Sequence, residues 1–245
     1  MNYAILASGS KGNACIIETK GTRILIDCGT TKRYLSQSFE SLGLRFDDID
    51  HVLITHDHSD HTSQLKHFKN KSVFTSSPDM EDFTTVTPYE PFEIDGIHIM
   101  PIKTSHDDAY SVGYVLDDGK RKLVYMTDTG YVKETDLVYL RNADYYILES
   151  NHDPEMLMKT IRPYYIKQRI LSDVGHLSNA DAGLVLSKVV TENTKQIVLA
   201  HLSAEANTEA LAIETVSEIV SNPRIEISVA KQYEIVMGGI NNEKQ

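Results

Sequence analysis

The sequence predicts an α/β fold in which two sheets stack face to face with helices on their outer sides, a four-layered αββα sandwich. Two observations predict it. Short β-branched runs bounded by turn residues fill the first half of the chain, and strands precede helices in each half. At 245 residues and 41% hydrophobic composition, the chain can bury such a core in one domain. We expect that domain to span residues 1–240, followed by a polar tail at 241–245.

The first half of the chain is predicted to consist mainly of strands. A helix-like segment, TTKRYLSQSFESLGL, separates the third strand from the fourth. Two Asp-Gly pairs, Asp95-Gly96 and Asp118-Gly119, indicate hairpins. In order, the predicted strands and hairpins are YAILA, ACIIET, TRILIDCG, HVLITH, SVFTS, FEIDGIHIMPIKTSH and YSVGYVLDDGKRKLVYMTDTG.

The second half alternates between predicted strands and helices. ADYYILES and QIVLAH are predicted strands, and SNADAGLVLSKVVTEN and NTEALAIETVSEIV are predicted helices. Asp153-Pro154 marks a further helix start, because Asp caps helix N-termini and Pro is favoured at the first helical position. The polar segment GGINNEKQ is predicted to fray.

Charge and cysteine content exclude several classes of protein. A formal net charge of -11 disfavours a simple nucleic-acid-binding module or an anionic-membrane binder. It still allows a metal enzyme acting on phosphates, because bound cations invert the local field. Cys15 and Cys28 are too few for a disulfide framework, and MNYAILASGS resembles no secretion signal. We therefore expect a soluble cytoplasmic protein without a membrane-spanning segment.

A dense polar cluster, THDHSDH at residues 55–61, indicates metal binding, because imidazole and carboxylate groups are ligands for divalent ions. Four other segments run from an apolar strand into His or Asp: PIKTSHD, VYMTDTG, YILESNHD and IVLAHLS. Strand ends can converge on one rim of a sandwich. The predicted ligands at that rim are His56, His58, Asp60, His61, His106, Asp128 and His201.

Seven candidate ligands exceed the three that one catalytic zinc ion takes from a protein. Two ions about 3.5 to 4 Å apart, bridged by a carboxylate, would use all of them and would suit hydrolysis. Zinc, manganese and iron all accept His and Asp ligands. The other strand-region histidines His51, His67 and His98 lack this context, and we expect them to be ordinary surface or core residues.

The cluster THDHSDH, followed in order by His106, Asp128 and His201, resembles the ligand signature of the metallo-β-lactamase superfamily, and the resemblance covers essentially the whole chain. It implies that His56, His58 and His106 hold one ion. Asp60, His61 and His201 would hold the second ion, with Asp128 bridging the two. The resemblance also implies that Asp27 in LIDCG braces the histidine loop by accepting a hydrogen bond. Alternatively, Asp27 merely begins a turn.

Differences from other branches narrow the expected chemistry. His58 stands where oxygen-reducing diiron members carry glutamate, and His61 is commonly missing from lactam-hydrolysing zinc enzymes, which use a later cysteine. GHLSNADAG followed by IVLAHLS resembles tRNA 3′-processing enzymes and cyclic phosphodiesterases. The resemblance implies that His176 donates a proton, with Asp60 and Asp128 also essential for turnover. Alternatively, His176 caps the helix that begins near Ser178.

LASGSKGNA, together with ILESNHD and GHLSN, resembles the YycJ/WalJ/VicX family, a small bacterial branch. The resemblance implies a 5′-to-3′ exodeoxyribonuclease that prefers single strands, encoded beside a cell-wall two-component system. Backbone N–H groups of SGSKGN would then form a nest for a terminal phosphate, helped by Ser10, Lys11 and Asn13, with Ser178 as a further substrate contact. The same turn is equally consistent with a tight, glycine-rich hairpin.

One basic and aromatic segment, KTIRPYYIKQR, is the remaining candidate for gripping nucleic acid, since no clamp domain fits between Tyr131 and Ala200. In it, Tyr164 and Tyr165 lie among the basic residues Lys159, Arg162, Lys167 and Arg169. An amphipathic helix with a solvated basic face explains the pattern as well.

Two other functions remain open. One is a hydrolase of small thioesters, lactones or cyclic phosphates on the same metal pair, which a closed pocket would favour. The other is a non-enzymatic partner of the signalling system with a structural metal. Seven ligands argue against the latter, because about four close a structural site. The oligomeric state, including a homodimer, stays open.

Overall fold

Fourteen strands and seven α-helices are present in the computed structural model, which describes residues 1–239. In chain order the strands are β1 (Asn2–Ala7), β2 (Ala14–Thr19), β3 (Thr22–Ile26), β4 (His51–Ile54), β5 (Ser72–Thr75), β6 (Thr84–Thr85), β7 (Phe92–Ile94), β8 (Ile97–Lys103), β9 (Val112–Asp117), β10 (Lys122–Met126), β11 (Tyr145–Glu149), β12 (Gln196–Ala200), β13 (Glu226–Val229) and β14 (Val236–Gly239). The helices are α1 (Lys32–Ser41), α2 (Ser59–Thr62), α3 (Leu137–Leu140), α4 (Pro154–Lys159), α5 (Tyr164–Ile170), α6 (Asn179–Val189) and α7 (Glu209–Val220).

The strands form two seven-stranded sheets. The first sheet has the order β14-β1-β2-β3-β4-β5-β6, and the second has the order β13-β12-β11-β10-β9-β8-β7. Ile17 and Tyr114 belong to the apolar cluster between the sheets. Phe39 of α1 packs on the outer face of the first sheet, and Leu186 of α6 packs on that of the second. The predicted αββα sandwich is therefore confirmed.

Parallel pairing brings together the carboxyl ends of the strands that precede the predicted ligands. In the first sheet β3, β4 and β5 run parallel, and in the second β10, β11 and β12 run parallel. Their carboxyl ends share one rim, where the Thr55 carbonyl accepts a hydrogen bond from the backbone N–H of Val112 in the opposite sheet. The side chains just beyond these strands can therefore meet.

The elements differ from the predictions at several places. β6, β13 and β14 were not predicted, and β14 contains Gly238 and Gly239 of the segment GGINNEKQ. These two glycines pair with Tyr3 and Asn2 of β1, so fraying is wrong for this part of the segment. The polar tail predicted at residues 241–245 lies outside the described residues.

The segment KTIRPYYIKQR also differs from the amphipathic helix considered for it. Lys159 ends α4, and α5 begins only after Pro163. Because proline restricts the residue before it and lacks an N–H group, it favours this break. In addition, among residues 1–239 we find no helix with the length and apolar character needed to span a membrane.

Candidate metal centre

The histidine cluster follows β4 and continues into the single-turn helix α2, which carries Asp60 and His61. Two loops fix this helix through its backbone: the His61 carbonyl accepts from the N–H of Cys28 at 2.7 Å, and the Asp60 carbonyl accepts from the N–H of Asn13 at 2.8 Å. Gly29 lies so close to α2 that a Cβ atom added there would stand 1.6 Å from the Asp60 carbonyl oxygen. The turn in LIDCG therefore packs directly against α2 and fixes its position.

Three polar residues at the rim adopt backbone conformations that non-glycine residues rarely take. Asp27 (φ 59°), Asp128 (φ 56°) and His201 (φ 57°) each follow the end of a strand with positive φ. Such conformations persist only where the surrounding structure enforces them, and they concentrate at functional sites. The rim is therefore a candidate site on backbone geometry alone.

The structure brings the seven predicted ligands to this rim. Potential ligand atoms lie within 4.8 Å of one another in three groups: His56, His58 and His106; His56, His61 and Asp128; and Asp128, Glu149, His176 and His201. Asp60 Oδ2 lies 3.6 Å from His61 Nε2. In contrast, His51 and His98 contact Asp95 and Glu93, and the His67 ring lies tilted against Phe46 with centroids 6.0 Å apart, all outside these groups.

Asp128 stands at the centre of the ligand set. Its Oδ2 atom lies 3.3 Å from His61 Nε2, and its Oδ1 atom lies 3.6 Å from His201 Nε2 and 4.0 Å from His106 Nε2. One carboxylate thus faces histidines assigned to both predicted ions. This is the placement that a bridging ligand needs.

Asp27 is fully buried and orients His61. Its Oδ2 atom lies 2.8 Å from His61 Nδ1, while its two oxygens accept from the N–H and the hydroxyl of Thr55, both at 2.9 Å. Burial alone would lower the pKa of His61, but the charges of Asp27 and Asp128 outweigh it and raise that pKa well above its usual value. With Nδ1 held by Asp27, His61 presents Nε2 to Asp128.

Glu149, which is not among the residues predicted from the sequence, orients His176 and His201 as Asp27 orients His61. This fully buried carboxylate at the end of β11 lies 2.7 Å from His176 Nδ1 and 2.9 Å from His201 Nδ1 through Oε1, and accepts from the Thr129 N–H through Oε2. Burial would raise the pKa of Glu149, but the charge and hydrogen bonds of the two histidines lower it to about 2. One sequence feature could have indicated this role: Glu149 ends the apolar run YILE, so it lies at a strand end as the predicted ligands do.

His176 lies beside the ligand set and is more exposed than His201. Its Nδ1 atom is 3.8 Å from Asp128 Oδ1. Burial disfavours its charged form, but the Glu149 carboxylate outweighs that effect and raises the pKa of His176 to about 9. The helix α6 is capped by Ser178, which accepts from the N–H of Asp181 at 3.1 Å. His176 is therefore not the cap, and the buried Ser178 hydroxyl is engaged in capping.

The turn SGSKGN is a packed loop instead of an open anion nest. The N–H groups of Gly9, Lys11 and Gly12 donate to Asn13 Oδ1, Gln232 Oε1 and the Gly9 carbonyl at 2.9, 3.0 and 3.0 Å. The Asn13 side chain is buried, with Nδ2 3.0 Å from His61 Nε2. The nest interpretation is therefore wrong for these N–H groups, because they already have partners inside the protein. The side chains of Ser10 and Lys11 remain exposed.

The basic residues of the segment KTIRPYYIKQR lie in different surroundings, and only some of them are near the site. Lys167 is buried, and its ammonium group donates to the carbonyls of Met158 and Thr160, both at 2.7 Å, so it is not a phosphate ligand. Lys159 is exposed beside Glu155. Arg162 and Arg169, in contrast, line a pocket next to His176 and His201.

The donor set fits divalent metal. Asp128 Oδ2, His106 Nδ1 and His201 Nε2 are buried, and none has a hydrogen-bond partner among residues 1–239. Buried polar atoms are rarely left unpaired, and ligation would satisfy carboxylate and imidazole atoms. No cysteine belongs to these groups of ligand atoms in the described part of the chain, which fits zinc, manganese or iron equally.

Comparison with known proteins agrees with this geometry. The profile of the beta-lactamase superfamily domain matches residues 22–202. Exodeoxyribonuclease YycJ of Bacillus anthracis is 34% identical over 237 residues, which cover 90% of this chain and 89% of the relative. Exodeoxyribonuclease WalJ of Streptococcus pneumoniae is 33% identical over 227 residues, which cover 86% of this chain and 84% of that protein.

Solved structures show the same fold at low sequence identity. The metallo-beta-lactamase fold protein YhfI of Bacillus subtilis has a TM-score of 0.73 at 18% identity, covering 97% of this chain and 100% of that one. Human tRNase Z, short form, has a TM-score of 0.66 at 16% identity, covering 96% and 98%. The chain therefore belongs to the metallo-β-lactamase superfamily, as a metal-dependent hydrolase of the family that contains the YycJ and WalJ proteins.

Proposed function

We propose that the protein is a 5′-to-3′ exodeoxyribonuclease that prefers single strands carrying a 5′-phosphate and depends on two divalent ions. The names of the YycJ and WalJ relatives support DNA as the substrate. The observation that carries the proposal is the position of His176, a titratable group held by Glu149 at 2.7 Å beside the ligand set around Asp128. Such a proton donor next to the metals can protonate the leaving oxygen of a phosphodiester.

The ligand residues divide between two ions in this proposal. His56, His58 and His106 would hold one ion, Asp60, His61 and His201 would hold the other, and Asp128 would be shared between them. When bound, the ions supply Lewis acidity and lower the pKa of water for attack on phosphorus. Asp27 and Glu149 keep the Nε2 atoms of His61 and His201 directed at the centre. Free buried thiols at Cys15 and Cys28 are consistent with the proposed cytoplasmic location.

His176 assists the leaving oxygen. Because Glu149 holds Nδ1, the Nε2 atom is the one that remains to donate a proton. As the bond from phosphorus to the 3′ oxygen of the departing nucleotide breaks, that oxygen takes the proton and leaves as a hydroxyl group. The proton comes from a group that the buried carboxylate keeps charged near neutral pH.

A small-molecule hydrolase on the same centre is the second candidate. The pocket beside His176 combines arginines with apolar side chains and would accommodate a compact cyclic phosphodiester. An Anti-Pycsar protein of Paenibacillus is 25% identical over 194 residues, covering 74% of this chain and 78% of that protein. Both candidates require the same ligands, so the substrate separates them.

The deciding experiment incubates metal-stripped protein with end-labelled single-stranded DNA or RNA, with and without a 5′-phosphate, after adding back manganese or zinc. We expect stepwise shortening of 5′-phosphorylated DNA. Asp128→Ala should abolish it, while Asp82→Ala, at an exposed position, should not. Two bound ions with no cleavage of either nucleic acid, but with hydrolysis of a cyclic nucleotide, would contradict the exonuclease and support the second candidate.

A further inference from the structure

One pocket opens directly beside the ligand set, on the side of His176. His176 and His201 form its inner wall. Its outer wall comes from α5 and the residues before and after that helix, including Arg162, Arg169 and Val174. The walls therefore combine charged and apolar groups in one pocket with the proposed proton donor.

Two arginines supply the positive charge of the pocket, and each is held by one carboxylate. Arg162 Nε lies 2.8 Å from Glu205 Oε2, and Arg169 Nη2 lies 2.5 Å from Asp107 Oδ2. Within residues 1–239 these are the hydrogen bonds of the two guanidinium groups, which carry five N–H donors each. The unused donors suit a phosphate, which arginine binds through paired N–H groups.

Arg169 is also tied to the metal ligands. The other oxygen of Asp107, Oδ1, lies 3.0 Å from His106 Nε2. The chain of contacts from His106 through Asp107 to Arg169 fixes the guanidinium relative to the centre. A phosphate held by Arg169 would therefore be placed at a defined distance from the scissile bond.

The apolar part of the pocket lies beside Arg169, on the face of α5 that carries it, and continues past the end of the helix. Ile166 and Ile170 are one turn apart on α5 and line the pocket together with Val174, which remains 45% exposed. Tyr165 is 69% exposed one turn before Arg169. Tyr165 does not line the pocket, but the arginine pair beside an apolar wall matches a nucleotide, which has a charged phosphate and a flat, largely apolar base.

We propose that this pocket binds the terminal nucleotide of the substrate, with its 5′-phosphate on Arg162 and Arg169 and its nucleoside against Ile166, Ile170 and Val174. The inference rests on the proposed function, because His176 marks the side from which the leaving oxygen departs. Water adds to the scissile phosphorus, the bond to the 3′ oxygen breaks, and that oxygen receives a proton. The products are one nucleoside 5′-monophosphate in the pocket and a strand with a new 5′-phosphate, so each cycle removes one nucleotide.

The test is isothermal titration of the metal-loaded protein with deoxyadenosine 5′-monophosphate and, separately, deoxyadenosine. We expect the monophosphate to bind at least about tenfold more tightly, because only its phosphate can form charge-assisted hydrogen bonds with the arginines. Arg162→Gln and Arg169→Gln should each lower the affinity for the monophosphate by about tenfold. Arg224→Gln is the matched control, since Arg224 is exposed just before β13, at the edge of the sheet opposite the rim.

The apolar contact is tested by Val174→Asp. This substitution should lower the affinity for the monophosphate while both arginines stay in place. Equal affinity for the two ligands, or unchanged monophosphate binding in both arginine variants, would overturn the inference. Failure of the proposed function gives a different result: the monophosphate still binds through the arginines, yet no DNA is shortened. Shortened DNA with arginine-independent monophosphate binding would refute the pocket alone.

Discussion

At the scale of single residues, two buried carboxylates determine which nitrogen atoms reach the centre. Asp27 and Glu149 are fully buried, and each accepts from a backbone N–H as well as contacting histidine Nδ1 atoms. Their positions fix the imidazole rings before any ion arrives. Such outer contacts orient the ligands of a metal site and raise their basicity.

Replacing Glu149 tests this directly. Glu149→Gln removes the charge while keeping the size, so His201 loses its anionic partner, and we expect metal affinity or turnover to fall by about 10- to 100-fold. Metal content by mass spectrometry and the turnover rate on DNA would both be measured. Glu134→Gln, at an exposed position, should behave as wild type. Unchanged affinity and rate would show that Glu149 is dispensable.

His176 should respond differently from the ligands. His176→Ala removes the proposed proton donor but no predicted ligand, so turnover should fall by about 100- to 10,000-fold at full metal content. Turnover and bound metal would be measured on the same preparation. Loss of an ion in this variant would instead identify His176 as a ligand.

At the scale of elements, the contact between two turns sets the position of α2. Gly29→Ala would force a methyl group into the Asp60 carbonyl, so we expect a lower urea midpoint and loss of bound metal. Gly21→Ala is the matched control, because its surroundings are open and only its positive φ of 82° costs about 1 to 2 kcal/mol. Equal midpoints for the two variants would contradict the close packing of Gly29.

Asp118, in the hairpin between β9 and β10, should make the stability of the protein depend on pH. Burial opposes ionisation of Asp118, but hydrogen bonds from the Thr19 hydroxyl and the N–H groups of Lys120 and Arg121 outweigh it and lower its pKa. The carboxylate therefore contributes stability that is complete above the usual aspartate pKa of about 3.9 and is lost as pH falls through the lowered value.

Asp118→Asn should accordingly be less stable than wild type at neutral pH, and the difference should shrink below about pH 4 as the wild-type carboxyl becomes protonated. Urea unfolding at neutral and acidic pH measures this. Asp82→Asn, at an exposed position, provides the control. A stability difference that stays constant with pH would rule out the ionised carboxylate as its source.

The sequence predicted elements and ligands where the signal is local. The strands before His56, Asp128 and His201 are apolar runs followed closely by these predicted ligands, so the strand pattern and the ligand position could be recognised together. β6 has two exposed threonines, and β14 ends in two glycines, so neither shows the alternation typical of a strand. The role of Glu149 was not predicted, because it depends on contacts with two histidines that are 27 and 52 residues away in sequence.

At the scale of the whole molecule, the net charge of -11 opposes approach of DNA, so the proposed complex relies on the pocket arginines and the metal centre. With the 5′-phosphate on the arginines and the scissile phosphate at the metal centre, two phosphates of a single strand are contacted, and affinity should fall only about sevenfold between about 50 and about 200 mM salt. Fluorescence anisotropy with labelled DNA measures the slope. A loss of about a thousandfold would reveal a further basic surface that contacts several more phosphates.

The sharing of Glu149 between His176 and His201 limits how this enzyme can diverge. A substitution at this carboxylate alters the predicted ligand His201 and the proposed proton donor His176 together, so neither can be tuned there alone. Laboratory selection for a different metal preference would have to act through Asp27 or the ligands themselves. Selection for a different leaving group would act at the open side of His176, leaving Glu149 unchanged in both lineages.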